Sequence, residues 1–357
     1  MLGTDNDLTQ QLQAEILQAI AIGNSLTIKA GGSKDFYGRN VLADSILSLA
    51  QHQGIISYEP TELVIKARAG TPLKVIQQAL AENRQMLAFE PPAFNDKTTL
   101  GGTIAGNFSG PRRAYTGAAR DYVLGTTLFN GKAELLSFGG EVMKNVAGYD
   151  VSRLMTGALG TLGVIMEASI KVVPMPETEI TLVQSVNITA ALAKLHQWSG
   201  LPLPISASCF YQDRLYIRLS GIEKALDNAG KLIGSEQLNN AHEFWRTIRN
   251  QSHAFFQSKQ TLWRLSLASN IPPLALEGES LYEWGGALRW LKSDLSPQEV
   301  RSNAHLLNSH ATLYRSNYQR DAVFQALPAP LLAVHQRLKQ AFDPHGIFNI
   351  GRMYAEF

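Results

Sequence analysis

Thr99-Leu-Gly-Gly-Thr-Ile-Ala-Gly-Asn-Phe-Ser-Gly-Pro-Arg-Arg-Ala-Tyr-Thr-Gly-Ala-Ala-Arg-Asp121 is the most informative stretch of the chain. Gly101, Gly102, Gly106, Gly110 and Gly117 lie there among small polar residues, beside the adjacent Arg112 and Arg113. Glycine tolerates positive φ and lets backbone N–H groups approach a ligand closely. The run reads as a backbone cradle for a large, flat, phosphate-bearing molecule; the plainer alternative is a glycine-rich surface loop.

The bulk properties narrow the setting. At 357 residues the chain is long enough for roughly two domains. A hydrophobic content of 45% with 17% charged residues supplies material for sizeable cores. A formal net charge of +2 argues against a nucleic-acid surface or a polybasic membrane anchor. Cys209 is the single cysteine, which excludes internal disulfides and cysteine-built iron–sulfur or zinc sites. No apolar stretch reaches bilayer-spanning length, and the first residues show no export signal. A cytoplasmic location is expected, with peripheral association to the inner membrane through partners left open.

Periodicity predicts a helix over 7–22 stopped by Gly23, then a strand over 26–30 that breaks into Gly31-Gly32-Ser33-Lys34-Asp35. A strand is expected over 58–69, a helix over 72–83 and a strand over 86–90. Asn130-Gly131 between apolar runs signals a hairpin joining 122–129 and 132–138. Asp150 is placed to cap a helix over 150–159, and a strand follows over 163–173. Beyond Glu177 the glycine clusters stop, and helices alternate with strands in the manner of an α+β unit on an antiparallel sheet. The last helix, 329–342, leads into a tail ending Phe348-Asn349-Ile350-Gly351-Arg352 before the final residues.

Three glycine-bearing segments call for one explanation. Lys29 to Tyr37 is a strand breaking into a turn whose successive amides can form an anion nest, with Lys34 adding charge for a pyrophosphate. Its spacing is neither that of a P-loop nor that of a Rossmann dinucleotide turn. The second segment is the stretch quoted above. The third is Lys144-Asn-Val-Ala-Gly148-Tyr149-Asp150, followed by Gly157, Gly160 and Gly163 at every third position. That spacing allows close backbone passage beside an inserted ring system, or close packing of helix on strand.

Together these segments resemble the FAD-binding domain of the vanillyl-alcohol oxidase, or PCMH-type, superfamily. Gly101, Gly102, Ala105, Asn107 and Gly110 match its Gly-Gly-x-x-Ala-x-Asn-x-x-Gly flavin stretch. The Lys144–Gly163 segment resembles the corresponding pattern of D-2-hydroxyacid dehydrogenases, and Phe342 to Arg352 matches their returning tail. Length and wording are most similar to the FAD-binding E subunits of bacterial glycolate oxidases. The resemblance implies an α+β fold: a two-subdomain PCMH-type FAD-binding domain over 1–176, a smaller α+β cap with an antiparallel sheet over 177–340, and a tail over 341–357 that returns to the first domain.

It also implies a cofactor contact set. In the first segment this is Gly31, Gly32, Ser33, Lys34 and Asp35; around the second, Pro92, Thr98, Gly101, Gly102, Ala105, Asn107, Ser109 and Gly110; in the third, Gly148, Tyr149, Gly160, Gly163 and Ile165; and Asn349 from the tail. Gly31–Tyr37 carries neither His nor Cys for a covalent tether, so noncovalent FAD is expected. Related dehydrogenases carry a His-Gly-His-x-Gly-Asp-Gly-Asn-x-His segment; nothing here matches it, and no metal is expected. No catalytic base stands out. Arg218, Arg264 and Arg289 are candidates to clamp a substrate carboxylate. The implied function is an FAD-binding oxidoreductase subunit that carries or relays electrons from glycolate, beside a sister FAD subunit and an iron–sulfur subunit. A self-sufficient D-2-hydroxyacid dehydrogenase and a flavin-free scaffold are the alternatives.

Overall fold

Leu12, Ile16 and Ala19 recur on one face of the helix Thr9–Ile22, and all three are buried. Gly23, at φ 74°, ends it in the left-handed conformation. These are features of a computed structural model that describes residues 5–40, 42–140, 149–316 and 322–357. The chain next forms the strand Leu26–Lys29, paired in parallel with Ser45–Ser48. A five-stranded antiparallel sheet follows, in the order Ile55–Glu59, Val64–Arg68, Val164–Lys171, Val123–Phe129, Leu135–Gly139. One apolar core joins these elements, with Leu73, Ile76 and Leu80 from the helix Leu73–Glu82 filling it.

The second unit is an eight-stranded antiparallel sheet. Its order is Glu236–Gln237, Thr178–Ser185, Arg214–Gly221, Ile205–Tyr211, Glu279–Glu283, Leu288–Lys292, Leu262–Ser266, His310–Arg315. Two further apolar clusters lie within it, one under the helices Ile188–Ser199 and Glu223–Ile233, the other under Pro297–Leu306. A fourth cluster, of Trp245, Phe255, Trp284, Trp290 and Tyr314, also takes in Phe108 of the glycine segment and joins the two units.

The chain returns to the first unit before it ends. Leu338 and Phe342 of the helix Ala329–Phe342 pack against the first core, and Ile347 and Phe348 are buried inside it. Ile347 accepts the Leu26 N–H at 2.7 Å, and the Asn349 N–H donates back to Leu26 at 3.0 Å. The buried Lys339 ammonium donates to Asp343 at 2.7 Å and to the carbonyls of Thr161 and Phe348 at 2.8 Å each.

Local chemistry departs from periodicity at four places. The single strand expected over 58–69 is two strands, because Pro60 opens a turn that Leu63 closes at φ 57°. The strand expected over 86–90 shrinks to Gln85–Met86, the chain turning at Glu90 with φ 44°. The helix over 150–159 stops at Met155, although Asp150 caps it as expected, since Gly157 and Leu159 both take positive φ. The glycine cradle is in part helical: Leu100–Gly106 is a helix whose Gly102 N–H donates to the Thr99 hydroxyl at 3.4 Å.

Candidate functional site

The first and third glycine segments, the glycine helix and the tail converge on one channel. A cavity of about 430 Å³ is lined by Gly31, Gly32, Ser33, Lys34, Asp35, Gly102, Ala105 and Asn349. A smaller one of about 100 Å³ adjoins it, sharing Gly102, Ala105 and Asn349 and adding Gly101, Gly160, Gly163 and Ile165. Pro92, Asn107, Ser109 and Gly110 line a third cavity of about 330 Å³ between the glycine segment and the eight-stranded sheet. Three expected contacts fall elsewhere. Thr98 is buried in the wall, its hydroxyl accepting the Asn95 N–H at 3.4 Å. Tyr149 is 93% exposed, and Gly148 lies outside the described residues, as does Lys144.

Backbone approach sets the walls. A Cβ on Gly31 would lie 1.5 Å from the Lys97 carbonyl oxygen, and one on Gly110 would lie 2.2 Å from that of Glu90. Asn349 holds the tail to the channel: its Oδ1 accepts the Ile28 N–H at 2.9 Å and its Nδ2 donates to Leu159 at 2.7 Å. Asp35 pairs with Lys29 at 3.1 Å.

Two groups, Lys34 in the channel and Asn107 in the third cavity, fit a phosphate-bearing, hydrogen-bonding cofactor. The Lys34 ammonium meets no carboxylate among the described residues; its hydrogen bond is to the Ser33 hydroxyl at 3.5 Å. Phe94 and Phe108 flank it at 5.8 and 6.0 Å, and burial pulls its pKa down to about 7. A phosphate would restore its charge. The Asn107 Oδ1 is buried without a hydrogen-bond partner among the described residues, an arrangement that a ligand N–H would relieve. FAD, when bound, supplies two-electron redox chemistry; the chain supplies position and charge. Lys34 and the glycine backbone would hold its phosphates, and Asn107 a polar edge of the ring.

The cap arginines divide by role. Arg218 is committed to Glu90 at 2.9 Å and to the Ser206 hydroxyl at 3.0 Å. Arg289 is spent on the carbonyls of Gly286 and Pro272, at 3.1 and 2.7 Å, and on that of Ile271. Arg264 alone of the three lines the third cavity. Arg113, Arg249 and Glu283 line it too, a set that sequence reasoning did not assemble because the residues come from four separated segments. Arg112, next to Arg113, instead pairs with Glu90 and Glu179.

Trp284 organises this cavity. Its φ of 55° is followed by 66° at Gly285 and 93° at Gly286, a strained turn for a bulky residue. The Gly285 N–H donates to the Ser208 hydroxyl at 2.9 Å, and the Trp284 indole N–H to the Gly110 carbonyl at 3.0 Å. The Arg113 and Arg264 guanidinium carbons lie 4.4 and 5.3 Å from the Trp284 ring centre. Beside it, the buried Glu283 accepts the Trp290 indole N–H at 2.8 Å, and burial raises its pKa to about 7.

A glycine-lined channel beneath an antiparallel cap defines a flavin-nucleotide-binding protein. A family model described as "FAD binding domain" matches residues 8–139. The chain is 45% identical over 350 residues to the glycolate oxidase subunit GlcE of Escherichia coli strain K12, covering 98% of each chain. It belongs to that family. It is also 44% identical over 95 residues to the glycolate oxidase subunit GlcD of Bacillus subtilis, covering 26% of this chain and 20% of that one. A D-lactate dehydrogenase of Anaerostipes hadrus is 33% identical over 138 residues, 39% of this chain and 29% of its own. Among solved structures, alkyldihydroxyacetonephosphate synthase superposes over 95% of this chain and 74% of its own, with a TM-score of 0.66 at 13% identity; this likeness concerns the fold. Among the described residues no helix is long and apolar enough to cross a membrane, and no cluster of His, Cys, Asp and Glu could hold a metal.

Proposed function

We propose that this chain is the FAD-binding subunit of a glycolate oxidase-type complex and carries or relays electrons from a small 2-hydroxy acid. End-to-end similarity to the Escherichia coli glycolate oxidase subunit supports the reading. The observation that carries it is the Lys34 ammonium, which meets no carboxylate among the described residues and lies in a glycine-walled channel. FAD is held noncovalently, its contacts drawn from Gly31–Asp35, Gly101, Gly102, Ala105, Asn107, Ser109, Gly110, Gly160, Gly163, Ile165 and Asn349. The residues up to about 176 form the cofactor domain, and those that follow form the cap. The partners in this reading are a sister FAD subunit and an iron–sulfur subunit, the complex sitting in the cytoplasm or peripherally at the inner membrane.

The test is a spectrum. Purified chain should be yellow and release its flavin on acid precipitation; colourless, flavin-free protein would sink the proposal. Adding glycolate anaerobically, with and without co-expressed partners, then tells whether reduction needs the complex. Bleaching of the isolated chain would instead favour a self-sufficient dehydrogenase.

A further inference from the structure

Arg113 comes from the glycine segment and Arg264 from the cap sheet, yet both lie against the ring of Trp284. Neither guanidinium makes an ion pair or a hydrogen bond with a described residue. Arg113 is held below the usual arginine range by burial and by the nearby Arg264 charge. Two like charges kept over one indole ring, beside a turn at which Trp284 itself takes positive φ, are compensated when an anion binds against both. The guanidinium fork matches the two oxygens of a carboxylate. Glu283, one residue before Trp284, lines the same cavity. One of its oxygens takes the Trp290 N–H, and no donor among the described residues reaches the other.

We propose that this cavity is a proton-coupled site for a small 2-hydroxy or 2-oxo carboxylate: Arg113 and Arg264 hold the carboxylate, and Glu283 takes up a proton as the ligand enters. The inference rests on the proposed function, in which FAD held by this chain takes up electrons from a small 2-hydroxy acid. An ionised Glu283 repels an incoming carboxylate, whereas a protonated one offers an O–H to the ligand's 2-oxygen. Several groups act on Glu283. Arg264 favours its ionised form and Glu90 its neutral form. Cys209 stands opposite it on the paired strand, its thiol raised by burial and by Glu283 itself. Arg113, Arg249, Tyr37 and Tyr314 complete the titratable lining. With burial dominant, Glu283 titrates near pH 7, so proton uptake on binding is small at pH 6 and approaches one proton per ligand by pH 8.

The experiment is calorimetric titration of the flavin-loaded full chain with oxamate, a carboxylate that is not oxidised, in two buffers of different ionisation enthalpy. The expected result is binding about tenfold weaker at pH 8 than at pH 6, with proton uptake at pH 8. Glu283→Gln should abolish both the uptake and the pH dependence while keeping its flavin. Arg264→Met should weaken binding tenfold or more, with Arg264→Lys in between. Flavin-loaded protein that fails to bind oxamate at pH 6, or proton uptake that persists in Glu283→Gln, overturns the inference and leaves the cofactor reading standing. Protein that never holds flavin overturns both.

Discussion

The indole N–H of Trp284 donates to the backbone carbonyl of Gly110 at 3.0 Å, so the cap is pinned directly to the glycine segment. Trp284 also carries positive φ, a conformation costly for a bulky side chain unless its surroundings enforce it. Trp284→Phe keeps the ring but loses this bond, leaving a carbonyl at the boundary unpaired. The expected cost is about 1–2 kcal/mol of unfolding free energy, measured by denaturant titration of flavin-free protein.

Lys34 makes the flavin-free protein sensitive to pH. Its folded pKa of about 7 lies below the ordinary 10.5, so folding disfavours the charged form. The penalty is complete below about pH 7 and fades as pH rises towards 10.5, so stability of flavin-free protein should climb across that window by a few kcal/mol. Lys34→Met should flatten the dependence. The same variant should bind FAD at least tenfold more weakly, seen by ultrafiltration of bound flavin.

Gly31 faces the Lys97 carbonyl so closely that even one methyl forces the backbone apart. Gly31→Ala should therefore purify folded by circular dichroism but with flavin content cut severalfold. Retention of full flavin would show that this loop is not part of the cofactor wall.

Glu90 receives Arg218 at 2.9 Å and Arg112 at 3.3 Å, tying the cofactor side to the strand Arg214–Gly221. Burial pushes its carboxyl upward, but the two arginines outweigh that and hold it below the usual range. Glu90→Gln strands two buried guanidinium groups with a single shared carboxylate, Glu179. A loss of about 3–5 kcal/mol is expected, visible as a lowered denaturation midpoint.

Much of the scaffold was legible because it follows local rules. The helix stopped by Gly23 and the Asp150 cap each rest on chemistry within a few residues. The expected Asn130-Gly131 turn is instead a longer loop: the second strand starts at Leu135, the Asn130 side chain accepts the Lys132 and Glu134 N–H groups, and the positive φ falls on Ala133. The glycine helix was not legible: a run rich in glycine has low helix propensity, and it is the packing of Leu100, Thr103 and Ile104 that makes it helical. The cap side of the site was hidden for another reason. Arg113, Arg249, Arg264 and Glu283 are scattered along the chain, and only sheet pairing and the positive-φ turn at Trp284 bring them to one cavity. Arg218, Arg264 and Arg289 look equivalent as strand arginines, yet their partners separate them into a structural tie, a cavity wall and a loop clasp.

The placement of Asn349 sets a schedule for maturation. Ile28 hydrogen-bonds to a side chain 321 positions later, so the pocket wall is missing a plank until residue 349 has been synthesised. A nascent polypeptide not yet extended past Asn349 would thus hold nucleotide poorly, which places flavin loading after that point of synthesis. Shortened translation products should emerge colourless even when their first 176 residues are intact.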